Sequence, residues 1–130
     1  MRVRQAFNVP GVPAPVAYKS MATVWNGTAF VSGQIGKGPD GQPIADVRGQ
    51  VEQAFRQIGA ILEGVGSSLD MVLLMGVYVT DIGTLSIVSD VRRKFIPSDP
   101  PASFGVEVAQ IALGAAVELQ VVAAVPEGST

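Results

Sequence analysis

The sequence predicts an α+β fold, two helices covering one face of a mixed sheet, with elements in the order β-β-α-β-α-β-β. Three observations carry this expectation. Apolar residues recur at helical spacing after Asp46 and again after Thr84. Apolar runs bounded by turn residues flank both stripes. The 130 residues amount to one domain's worth of chain, without internal repeat or low-complexity tract, so residues 1–130 are read as a single domain.

Taken in order, the first 15 residues hold Pro10, Pro13 and Pro15 and are expected to be irregular. Two β-favouring runs follow, the first ending at Trp25 and the second spanning Thr28 to Ser32. Asn26-Gly27 between them is a hairpin signal, because both turn residues tolerate positive φ. The Gly- and Pro-rich stretch from Gly36 to Pro43 reads as a loop.

Val47, Val51, Ala54, Phe55, Ile58, Ile61, Leu62 and Val65 then form the stripe of an amphipathic helix. Asp46 is placed to cap it and Gly64 or Gly66 to end it. Arg48, Glu52, Gln53, Arg56, Gln57 and Glu63 fall mainly on its other face. The apolar run from Leu73 to Thr80 suits a buried strand. Thr84 is read as the cap of a second helix carrying Leu85, Val88, Val91 and Phe95, stopped by Pro97. Two β-like runs, about 102–110 and 116–125, complete the chain.

Composition narrows the chemistry. The chain has no Cys and no His, which removes disulfides, thiolate nucleophiles, sulfur or histidine metal sites and the usual serine triads. A net charge of −2 offers no basic field for nucleic acid. The one basic run, Arg92-Arg93-Lys94, reads as a solvated helix face. The longest apolar stretch, Met71 to Thr80, is far short of the roughly 18–20 residues of a membrane span. Met1-Arg2-Val3-Arg4 imitates the start of a signal peptide, but the prolines interrupt what would follow, and a cytoplasmic protein is expected. Charged residues make up only 15%, against roughly 25% in ordinary soluble proteins. Part of the surface is therefore expected to be buried against copies of the chain.

Few residues stand out as chemical candidates. Glu118 sits in the otherwise uncharged run Ala116 to Val122, either facing solvent or held in a cleft for proton transfer. Glu107 is open to the same two readings, with solvent favoured. Gly33 ends a strand, where a missing side chain permits close backbone approach or merely serves a turn. Gly36-Lys37-Gly38 lacks the context of a phosphate-binding loop. Met71 and Met75 are most simply core filler.

Several segments together resemble the Rid/YjgF family, also labelled L-PSP endoribonucleases. They are Asn26 to Gln34, Gln50 to Phe55 running into Gly66 to Asp70, Val77 to Asp81, Pro100 to Val108, and Val117-Glu118-Leu119. The resemblance covers roughly residues 16–125. It implies a chorismate mutase-like α+β fold and a homotrimer with three ligand clefts between neighbouring subunits. It also implies hydrolysis of reactive imines or enamines to a keto acid and ammonia, without metal or organic cofactor. In such a site an Arg clamps the substrate carboxylate through two parallel hydrogen bonds. A Glu positions water and moves protons, and backbone near the Ser-Gly-Gln segment lines the cleft.

Carried over residue by residue, Glu118 falls on the family's Glu, and Gly33 and Gln34 on its Ser-Gly-Gln strand. The Arg position holds Ser103, in Pro101-Ala102-Ser103-Phe104. Ser89 stands at the cleft Asn, and the N-terminal Tyr position falls at Lys19, with Tyr18 beside it. A charge-assisted carboxylate contact is worth about 1.5–3 kcal/mol, one to two orders of magnitude in affinity. An arginine-less branch with a changed small-molecule substrate is therefore expected, Glu118 serving as acid–base and Ser103 lining the pocket. Lys19 is a candidate replacement cation, against the plainer reading of a solvated lysine. The alternative is a trimer that binds a metabolite or protein partner through the same clefts without catalysis. Neither nucleic acid nor membrane is expected as a partner.

Overall fold

The structure, a computed structural model, describes residues 3–126. Met1-Arg2, half of the basic start, lies outside the described residues. In chain order the elements are β1 (Gln5–Phe7), β2 (Ala22–Trp25), β3 (Thr28–Gln34), α1 (Val47–Gly64), β4 (Val72–Val79), α2 (Leu85–Phe95), β5 (Ala102–Glu107) and β6 (Val117–Ala124). The strands form one mixed sheet in the order β1-β2-β3-β6-β4-β5. Only the β4–β5 pairing is parallel.

One expectation needs correction. The segment 1–15 is not wholly irregular, because Gln5–Phe7 pairs with Ala22–Val24 as an extra antiparallel strand at the sheet edge. Three residues before the first proline are too few for a periodic signal, and the partner strand supplies the pairing.

The hairpin forms as its turn residues require, with Asn26 at φ 52° and Gly27 at φ 75°. Asp46 caps α1, its side chain accepting from the Gly49 N–H at 3.0 Å. At the other end Gly66 takes φ 87°, and the Ser67 N–H returns to the Leu62 carbonyl. Thr84 does not cap α2 with its side chain; its hydroxyl donates to the Asp81 carbonyl at 2.6 Å. Asp81 instead accepts from the Gly83 N–H in the short 3-10 turn before the helix.

Both helices cover the same face of the sheet. Val51, Phe55, Ile58, Ile61 and Leu62 of α1, with Val88 and Val91 of α2, bury against Val31, Met75, Val77, Leu119 and Val121. Phe55 and Phe95 stack with centroids 5.1 Å apart, tying the helices together. Met75 is core, as expected.

The other face of the sheet has no covering layer among the described residues. Phe30, Leu74, Phe104 and Val106 are exposed there. All six residues of β5 are exposed, although a parallel strand is ordinarily covered on both faces. No helix of the described residues is long and apolar enough to cross a membrane.

Candidate active site

Glu118 alternates along β6 with Val117 and Leu119, both fully buried against the helices. Its side chain therefore leaves the sheet on the uncovered face, opposite Tyr78 of β4. On the other side of β6, β3 carries a bulge. Val31 pairs with Val121 and the next pairing is Gln34 with Leu119, so three steps on β3 face two on β6. Ser32 and Gly33 occupy that interruption.

Gly33 is not one of the glycines with positive φ, so no turn demands it. What demands it is space. A Cβ there would lie 2.9 Å from Glu118 Cδ and closer still to Oε2. The carboxylate thus rests against bare backbone. It takes no hydrogen bond and no ion pair among the described residues.

A cavity of about 80 Å³ brings Glu118 together with Gly33, Gln34 and Lys19, closed by Pro13 to Val16, Leu113 and Gln57. Lys19 is exposed and lines the cavity without pairing with Glu118. Tyr18 is fully exposed and lines a wider depression of about 690 Å³ with Lys19, Ser32 and Phe30.

Gln57 departs from the expected polar face of α1, being only 4% exposed. Its amide donates to Gln34 Oε1 and the Ile35 carbonyl, each at 2.9 Å, and its Oε1 accepts from the Lys37 N–H at 2.9 Å. Gln50, also buried, donates to the Ile44 carbonyl and accepts from the Ala116 N–H. One amide therefore holds the chain leaving the Gly33 bulge, and the other holds the residue two before Glu118. Each looks like a helix-surface residue in sequence, because Gln34, Lys37 and Ala116, which they hold, are distant in the chain.

The remaining candidates gather elsewhere. Ser103 pairs with Met75 on the helix-facing side of β5, its Oγ donating to the Met75 carbonyl at 2.9 Å. It shares a cavity of about 160 Å³ with Ser89 and Arg92 of α2, walled by Val77, Leu85 and Phe104. Within one chain, then, the Glu118 group and the Ser103–Ser89 group occupy separate cavities with no lining residue in common. Glu107 is exposed and accepts from the Ile82 N–H at 2.9 Å, a loop-pinning role.

Arg92 corrects the reading of the basic triplet. Arg93 and Lys94 are exposed, but Arg92 is half-buried, its Nε is shielded, and it has no hydrogen-bond partner. Desolvation pulls its guanidinium below the ordinary arginine value. Arginine keeps its proton in proteins, so this burial leaves an unpaired cation.

A mixed sheet with helices on one face and a carboxylate seated against a glycine bulge describes a class of small α+β proteins. The family model described as Endoribonuclease L-PSP matches residues 11–125, and the chain belongs to this Rid/YjgF family. A RutC family protein of Aquifex aeolicus is 34% identical over 88% of this chain and 94% of its own length. The 2-iminobutanoate/2-iminopropanoate deaminase of Bos taurus is 32% identical over 93% of this chain and 90% of its own. The crystal structure of RidA from an Antarctic Psychrobacter superposes with a TM-score of 0.89 at 30% identity, over 92% of this chain and 98% of that one. The chorismate mutase-like fold expected from the sequence is present.

Proposed function

We propose that this protein is a hydrolase of small reactive imines or enamines, working in clefts between copies of the chain and needing no cofactor. The observation that carries the proposal is the Glu118 carboxylate, unpaired among the described residues and seated in space that only a glycine at position 33 leaves open. A relative 32% identical over 93% of this chain bears the name of an imine deaminase.

The chemistry asks little of the protein. Water adds to the imine carbon and the C=N electron pair moves to nitrogen. Glu118 takes a proton from the water and returns one to the nitrogen. In the resulting carbinolamine Glu118 moves the hydroxyl proton to the nitrogen, the O–H electron pair forms the C=O bond and the C–N bond breaks, giving a ketone or keto acid and ammonia. Gly33 and Gln34 line the reacting end of the cleft, and Gln57 holds Gln34 and the Ile35 backbone that follows.

A single chain separates Glu118 from Ser103 and Ser89, so these groups meet only if a second copy brings its β5–α2 edge to the first copy's Glu118. The exposed β5 strand and the uncovered apolar face favour such an assembly, and we take it to be a homotrimer. Tyr18, exposed at the rim, is then placed to reach a neighbour.

The substrate differs from that of Arg-bearing relatives, because β5 carries no cation here. Ser103 spends its hydroxyl proton on Met75 and leaves only an acceptor for substrate. Keto-acid release from 2-aminoacrylate, generated by a pyridoxal-dependent dehydratase and competed by semicarbazide, tests this. The natural chain is expected to be slower than an Arg-bearing relative, and Ser103→Arg faster than the natural chain by about tenfold or more. Equal rates for all three would overturn the changed-substrate reading.

A further inference from the structure

We infer that Arg92 is the anion-binding residue of this site, taking the carboxylate of a small substrate from helix α2 rather than from strand β5. The inference rests on the reading of the Glu118 region as a hydrolase site, but its observations are separate.

Arg92 has five N–H donors and makes no side-chain hydrogen bond or ion pair among the described residues. The nearest acidic residue in sequence, Asp90, is engaged by Arg48 at 3.6 Å and Arg93 at 3.5 Å. A buried donor left unsatisfied is uncommon, and for a cation the cost is higher. Here only Nε is buried without a partner; the Nη groups are not buried and are open to water or to a ligand.

Its surroundings favour a ligand. Ser89 lies three residues before Arg92, so both project from the same face of α2 and line the same cavity. The Ser89 hydroxyl also has no partner among the described residues, and it supplies a further donor. Across the cavity stands Ser103, where the resemblance puts the carboxylate-binding Arg. A short side chain there opens the space into which a guanidinium from α2 reaches. Val77 and Leu85 form apolar walls beside the half-buried guanidinium. The cavity, about 160 Å³ and open to the surface, can admit a small carboxylate. A planar guanidinium can grip that group with two parallel bonds, which a lysine cannot.

Lys19 is the competing cation. It lines the Glu118 cavity of its own chain, is exposed, and has an ammonium that water already satisfies.

The test is binding of 2-oxobutanoate, followed by NMR titration of the assembled protein, beside its uncharged methyl ester. Arg92→Gln is expected to weaken 2-oxobutanoate about 10- to 100-fold and leave the ester unchanged. Arg92→Lys should fall between, and Ser89→Ala, at an exposed position, should cost a few-fold. Lys19→Gln should cost little. No binding by the natural chain, or Arg92 variants that bind as the natural chain does, would overturn the inference. Arg92-dependent binding without imine turnover would instead sink the hydrolase reading alone. Turnover indifferent to Arg92 would sink this inference alone.

Discussion

At the scale of single residues, Gly33 and Glu118 act as one feature. The glycine's backbone is unstrained, so its value lies in the atoms it lacks. Gly33→Ala should therefore leave folding nearly unchanged and push the carboxylate out of place. A displacement of about 1 Å can cost about 100-fold in rate, so kcat should fall by that order while the thermal midpoint scarcely moves. Steady-state kinetics beside thermal unfolding checks this; a large stability loss with normal kcat would point to a structural glycine instead. Sequence spacing identified both residues as candidates but not their contact, which depends on a bulge in β3. Arg92 follows the same logic. In sequence it belongs to a basic triplet, and only the packing of α2 over β4 and β5 distinguishes it from its exposed neighbours.

At the scale of elements, local signals performed well. Both helices, the Asn26-Gly27 hairpin and the later strands lie where periodicity and turn residues put them, because those signals are carried by neighbours in the chain. Caps were a finer matter. Asp46 and Thr84 look alike in sequence, yet only Asp46 satisfies a helix N–H. Asp46→Ala should cost about 1 kcal/mol by urea unfolding. Thr84→Ala should cost about half that or less, since it removes an exposed bond to a carbonyl. Equal losses would mean that Thr84 caps α2 in solution. Neither the β1 strand nor the buried amides Gln50 and Gln57 are legible in the sequence, because Phe7 pairs with Ala22, Gln57 binds Gln34 and Lys37, and Gln50 binds Ala116, all well removed along the chain.

At the scale of the whole molecule, the shortage of charge acquires a location. On the covered face β3, β6 and β4 pack against the helices, whereas the uncovered face and the β5 edge expose Phe30, Leu74, Phe104 and Val106. Phe104, set edge-on to Tyr78 at 5.8 Å, stands on the edge strand of that surface. If copies meet there, Phe104→Glu places a charge in a desolvated contact and should break the assembly. Light scattering should then report a mass of 13.5 kDa rather than three times that value, with imine turnover lost alongside. An unchanged mass would place the contact elsewhere.

The proposed chemistry rests on Glu118. Keto-acid release should be measured with dehydratase-generated 2-aminoacrylate and with larger and uncharged imines, for the natural chain and for Glu118→Gln. The expected result is turnover of at least one of these imines that drops about 100- to 10,000-fold in the variant, with assembly intact. Turnover that survives the substitution, or a natural chain that binds these compounds but converts none, would contradict it.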